Sequence, residues 1–112
     1  MENRTDAAFE MLFDVIMTRR EQPQEGSYTG YLFEQGTDKI LKKIGEEAAE
    51  TIIAAKNGEQ RQTVEEICDL LYHVMVLMAD QNIPLTEVTE ELCRRGQKIG
   101  NLKNMRQTDK DS

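Results

Sequence analysis

Two pairs of acidic side chains, Glu47 with Glu50 and Glu66 with Asp69, carry the chemistry on offer in this sequence. Each pair is spaced three residues apart, which places both members on one face of an α-helix, so each pair forms half of a clamp. On a helical wheel of about 100° per residue, Glu47 borders the apolar stripe of Leu41, Ile44 and Ala48, and Glu66 borders Ile67 and Leu70. If two such helices pack antiparallel through those stripes, the four carboxylates converge. Like charges that close repel unless protons or cations neutralise them. Magnesium meets that need, because it takes oxygen ligands, keeps several waters and bridges carboxylates to phosphates. Glu46 stands next to Glu47, where it can hold a further ion or orient water; water acidified by a metal needs only a modest base. Lys39 and Lys43 precede Glu47 on the same flank and would face phosphate oxygens.

A blander reading competes with this one. Glutamate is common in helices, and Glu87, Glu90 and Glu91 show similar spacing elsewhere. Lys42 with Glu46, and Lys43 with Glu47, also suit surface ion pairs worth about 0.2–0.5 kcal/mol each. What favours a metal site is the recurrence of an acidic pair on two consecutive helices, each time at the border of the apolar stripe. His73 shares the flank of Glu66 and Asp69, but a lone histidine on an apolar helix reads first as a hydrogen-bonded core residue.

The elements that must position these groups are helical. Residues Ala7 to Arg20 carry Phe9, Leu12, Phe13 and Ile16 at helical spacing, with Asp6 near the start and Arg19 and Arg20 near the end. From Gln22 to Gly36, Pro23, Gly26, Gly30 and Gly36 break the pattern, which predicts a loop, apolar enough through Tyr28, Tyr31, Leu32 and Phe33 to pack onto something. A second helix is expected from about Asp38 to Asn57, with Thr37 as N-cap, Gly58 as stop, and a core stripe of Leu41, Ile44, Ala48, Ile52 and Ala55. A third spans about Gln62 to Gln81, with Val64, Ile67, Leu71, Val74 and Met78 on its core side and Tyr72, Val76 and Ala79 opposite. Between Leu70 and Ala79 only His73 is strongly polar, so this helix needs cover nearly all round, which implies a helical dimer interface. Pro84 opens a fourth helix with Leu85, Val88 and Leu92 inward, ended by Gly96 and Gly100. The remaining tail, 101–112, is polar and unpatterned apart from Leu102 and Met105.

These elements predict an all-α fold: four to five helices in an antiparallel bundle completed by dimerisation, in one domain spanning 1–112 with an ordered core of about 5–97. The composition agrees, with three Tyr, three Phe and no Trp beside abundant helix formers. Cys68 and Cys93 lack zinc-ligand spacing and are expected to be reduced core residues. No basic-then-apolar leader and no membrane-length apolar run is present, so a soluble, cytoplasmic protein without a membrane partner is expected. A net charge of −7 repels nucleic acid, and phosphate binding would need a metal.

The ordered set Glu46, Glu47, Glu50, then Glu66 and Asp69, resembles the EExxE and ExxD signature of the MazG-type all-α nucleotide pyrophosphohydrolases. Ser27-Tyr28-Thr29, Leu32-Phe33, Gly36, Lys39-Ile40, Lys43 and Asp69-Leu70-Leu71-Tyr72-His73 extend the likeness to their phosphoribosyl-ATP pyrophosphatase branch, over roughly Phe9 to Arg95. The resemblance implies a magnesium-dependent, dimeric or larger enzyme of histidine biosynthesis that cleaves phosphoribosyl-ATP into phosphoribosyl-AMP and pyrophosphate. It implies Glu47, Glu50, Glu66 and Asp69 as magnesium ligands, Glu46 and Glu47 as catalytic groups, and Lys39, Lys43, Ser27 and Thr29 as substrate contacts. A fused second enzyme domain is not expected at this length. Rival readings are a housekeeping nucleoside triphosphate pyrophosphohydrolase with the same metal site, and a non-catalytic helical dimerisation module.

Overall fold

The structure is a computed structural model that describes residues 7–98, 103 and 105–111. The helices are α1 (Ala8–Glu21), α2 (Tyr28–Gln35), α3 (Thr37–Lys56), α4 (Gln60–Asp80), α5 (Leu85–Gly96) and α6 (Gln107–Asp111), and no strand occurs among the described residues. The fold is all-α. Among the described residues, no helix is long and apolar enough to cross a membrane.

The long helices α3 and α4 form an antiparallel hairpin around a three-residue turn. Gly58 adopts φ 69°, and the amides of Gly58 and Glu59 return to the carbonyls of Ala55 and Ala54, closing the end of α3. At the opposite end of the hairpin, the Thr37 hydroxyl donates to Asp80 Oδ2 at 2.7 Å, tying the start of α3 to the end of α4. Thr37 is therefore the first residue of α3 and not its N-cap, a position held by Gly36 at φ 97°. Only glycine takes that backbone conformation without strain, which lets α2 run almost directly into α3.

The stretch expected to be a loop holds a helix. Ser27 caps α2 by accepting a hydrogen bond from the Gly30 amide at 3.1 Å, and Gly30 is tolerated inside the short helix. The buried side of α2 outweighs its breakers: Leu32 is fully buried, and Phe33 packs on the core. The tail likewise contains the short helix α6, whereas Thr5, Asp6, Gly100 and Leu102 lie outside the described residues.

The core gathers Ile16 of α1, Leu32 of α2, Ile40 of α3, and Met75, Val76 and Ala79 of α4. Each fully buried aliphatic side chain contributes about 1.5–3 kcal/mol. This core follows the stripes read from sequence only in part: Ile44 and Met78 pack against it as expected. Val76 and Ala79, assigned to the far side of α4, are buried, while Leu41, Ile52, Val64, Ile67 and Leu71, assigned to the core, are exposed. The hairpin has two apolar faces, and α1 and α2 cover one of them from within the chain. Residues 70–79 draw much of their cover from that intramolecular packing, while Leu71 among them stays exposed. The uncovered face carries Ile52 and Ile53, 63% and 59% exposed. Cys68 and Cys93 are free and exposed, so neither belongs to the core.

Candidate metal centre

The antiparallel register of α3 and α4 sets Glu47 and Glu50 across from Asp69 and Glu66. One carboxylate oxygen from each of Glu47, Glu66 and Asp69 lies within 4.8 Å of the other two. Glu47 and Glu66 are buried, 7% and 6% exposed, whereas Glu50 and Asp69 stand at the surface. The cluster thus has an inner wall and an open rim.

The protonation of these groups records their crowding. A hydrogen bond with Glu50 pushes Glu66 up to about 7, helped by burial and by the charges of Glu50, Glu47 and Asp69. Burial raises Glu47 as well, followed by the charge of Glu50, a hydrogen bond to it and the charge of Asp69, with Lys43 opposing. Glu50 is held low because it accepts hydrogen bonds from Glu66 and Glu47. Glu47 Oε2 is buried and has no hydrogen-bond partner. An all-oxygen donor set, an orphaned buried oxygen and carboxyls that retain protons against mutual repulsion together fit a hard divalent cation.

Around this cluster, the other residues singled out from sequence take distinct places. Lys43 Nζ lies 3.2 Å from Glu46 Oε2 and 4.0 Å from Glu47 Oε1, bridging the cluster to its flank. Glu46 is paired with Lys43, not with Lys42, and is not one of the three clustered carboxylates. Lys39 sits apart, its ammonium 5.9 Å from the ring centroid of Tyr31. Ser27 holds the α2 cap, and the Thr29 hydroxyl is bonded to Tyr72 Oη, so both hydroxyls shape the α2 entrance.

His73 is buried with both ring nitrogens engaged. It lies within hydrogen-bond reach of the Asp69 carbonyl, a single turn earlier, through Nδ1 at 2.7 Å, and that acceptor fixes the ring proton on Nδ1. Nε2 is left to accept from Tyr28 Oη at 2.9 Å. No nitrogen remains for a metal, in keeping with a structural histidine. Sequence reading missed three neighbours: Gln62, which donates to Glu66 Oε1 at 3.3 Å, and Tyr31 and Tyr72, each of which stacks with Tyr28. Gln62 precedes Glu66 by one helical turn, and that spacing is the one signal of it in the sequence.

An α-helical hairpin that brings carboxylates from both arms together, with Lys43 beside them, is consistent with the class of MazG-type all-α nucleotide pyrophosphohydrolases. Residues 9–96 match the family described as Phosphoribosyl-ATP pyrophosphohydrolase. The chain is 56% identical over 97 residues to a phosphoribosyl-ATP pyrophosphatase of Clostridium botulinum, covering 87% of this chain and 88% of the relative. It is 51% identical over 96 residues to one of Listeria monocytogenes, covering 86% and 92%, and 48% identical over 102 residues to one of Bacillus cereus, covering 91% and 95%. The chain belongs to the phosphoribosyl-ATP pyrophosphohydrolase family.

Proposed function

We propose that this chain, acting as a single cytoplasmic catalytic unit of a homodimer, hydrolyses phosphoribosyl-ATP to phosphoribosyl-AMP and pyrophosphate in histidine biosynthesis. The observation that carries this reading is the convergence of Glu47, Glu66 and Asp69 within 4.8 Å on two helices of a chain from this family. Glu47, Glu50, Glu66 and Asp69 would hold magnesium. When bound, the ion supplies charge neutralisation for the phosphates and acidifies water.

The residues of the chain do the positioning. Lys43 stands beside the cluster where its ammonium can meet phosphate oxygens, and Lys39 lies further along the same helix for a more distant phosphate. Glu46 restrains Lys43 and, at the rim, can orient the attacking water by accepting its proton. Ser27 and Thr29 fix the α2 entrance through which the nucleotide is read. The exposed face around Ile52 and Ile53 supports the dimer, because a monomer rarely leaves such a patch to water.

The test measures pyrophosphate release from phosphoribosyl-ATP and from a panel of nucleoside triphosphates, with magnesium and with chelator. Turnover confined to phosphoribosyl-ATP and dependent on magnesium is the expected result. Comparable turnover of the whole panel would support the housekeeping activity instead, and no magnesium response would support a non-catalytic module.

A further inference from the structure

Resting on that reading, we propose that Tyr28 and Tyr31 form a π platform for the purine of the substrate, and that Tyr31 is the residue that selects phosphoribosyl-ATP over ATP. A hollow of about 600 Å³ lies over the start of α2 and is lined by Tyr28 and Tyr31 with Glu25 and Glu34. The two rings are stacked, 6.1 Å between centroids at 26°, and remain 45% and 42% exposed. A stacked pair half open to a hollow offers a face to a planar ligand. Tyr28 is held in place through its hydroxyl by His73. It also lies close enough to Lys43 and Glu47 to feel their charges, so the platform adjoins the carboxylate cluster.

Charge indicates which purine suits the platform. The phosphoribosyl arm of phosphoribosyl-ATP is carried on a ring nitrogen of adenine, and alkylation there leaves the base positively charged near neutrality. The base of ATP is neutral. The hollow presents tyrosine faces and two glutamates, Glu25 and Glu34, and no lysine or arginine lines it. Tyr31 already takes a cation, the Lys39 ammonium 5.9 Å from its centroid. A cationic base can replace that ammonium on the ring, freeing Lys39 for the phosphate of the second arm.

The chain has three tyrosines and no tryptophan, and Tyr28, Tyr31 and Tyr72 all belong to this cluster, so tyrosine fluorescence reports on it alone. The experiment titrates the full chain with 1-methyladenosine monophosphate and with adenosine monophosphate, excited at the red edge of tyrosine absorption where the purines are transparent. The expected result is that the methylated, cationic nucleotide binds about fivefold tighter or more. Tyr31→Ala should lose that preference, and Tyr31→Phe, which keeps the ring, should retain it, with helical circular dichroism confirming folding. Equal affinity for the two nucleotides, or an unchanged preference in Tyr31→Ala, overturns the proposal. Because no turnover is measured, failure of the enzymatic reading would appear in the pyrophosphate assay and not here.

Discussion

Replacing Glu47 by Gln should make the metal-free protein more stable and the metal-loaded protein less so. The Glu47 and Asp69 oxygens lie within 4.8 Å of each other. Two unit charges at that distance repel by about 1 kcal/mol in bulk water and about 3.5 kcal/mol at an effective dielectric of about 20. With Glu47 buried and Asp69 at the surface, the repulsion falls between those limits. Glutamine preserves the shape, removes the charge and brings an N–H donor to neighbouring carboxylates, where Glu47 Oε2 now has no ordinary partner. A domain of this size shifts its melting temperature by about 4–8 °C per kcal/mol. Glu47→Gln in chelator at pH 8 should therefore melt roughly 5 °C or more above wild type. Magnesium at a hundredfold excess over its dissociation constant should stabilise wild type by about 2.7 kcal/mol, or roughly 10 °C, and the variant by far less. Differential scanning calorimetry, with and without magnesium, decides the matter. A variant that melts lower than wild type in chelator, or gains as much from magnesium, refutes the reasoning.

The remaining predictions concern pH, the buried histidine and the exposed face. Between the ordinary carboxyl range and pH 7, folded Glu66 keeps a proton that the unfolded chain has lost, so stability in chelator should fall as pH rises through that window; melting curves of Glu66→Gln should be flatter there. Magnesium should remove the fall in wild type. His73→Leu leaves the Tyr28 hydroxyl and the Asp69 carbonyl without their partner and should cost about 1–3 kcal/mol in urea unfolding; a neutral result would deny the histidine its bridging role. Ile52→Glu places a charge on the uncovered face of the hairpin and should shift the mass measured by light scattering from dimer to monomer. An unchanged mass would move the interface elsewhere.

The helices and the acidic constellation were legible in the sequence because each depends on local spacing. Glu47, Glu50, Glu66 and Asp69 sit three apart on two helices, and a short turn with Gly58 forces those helices antiparallel, so their meeting follows from chain geometry. Which apolar face points inward does not follow. Ile40 and Ile44 lie beside Leu41 and Ile52 on one wheel, and a helix with two apolar sides reads alike whether α1 or another molecule covers it. Cys68 was misplaced for the same reason. The helix α2 was hidden by Pro23, Gly30 and Gly36; tertiary burial of Leu32 and the cap from Ser27 override the breakers. The partners of His73 required the fold itself, since Tyr28 is 45 residues away along the chain.

The hairpin resembles a tuning fork gripped at one end. The grip combines the Thr37–Asp80 bond, the Arg20 side chain on the Ala79 carbonyl and the packed centre around Val76, whereas the bend near Gly58 has no such hold from α1 or α2. An opening that began at the bend would reach Glu50 and Glu66 before Ile40 and Val76, which lie toward the gripped end. On the proposed reading, such an opening would cost activity before it cost the fold, and whatever steadies the bend would protect the acidic cluster first.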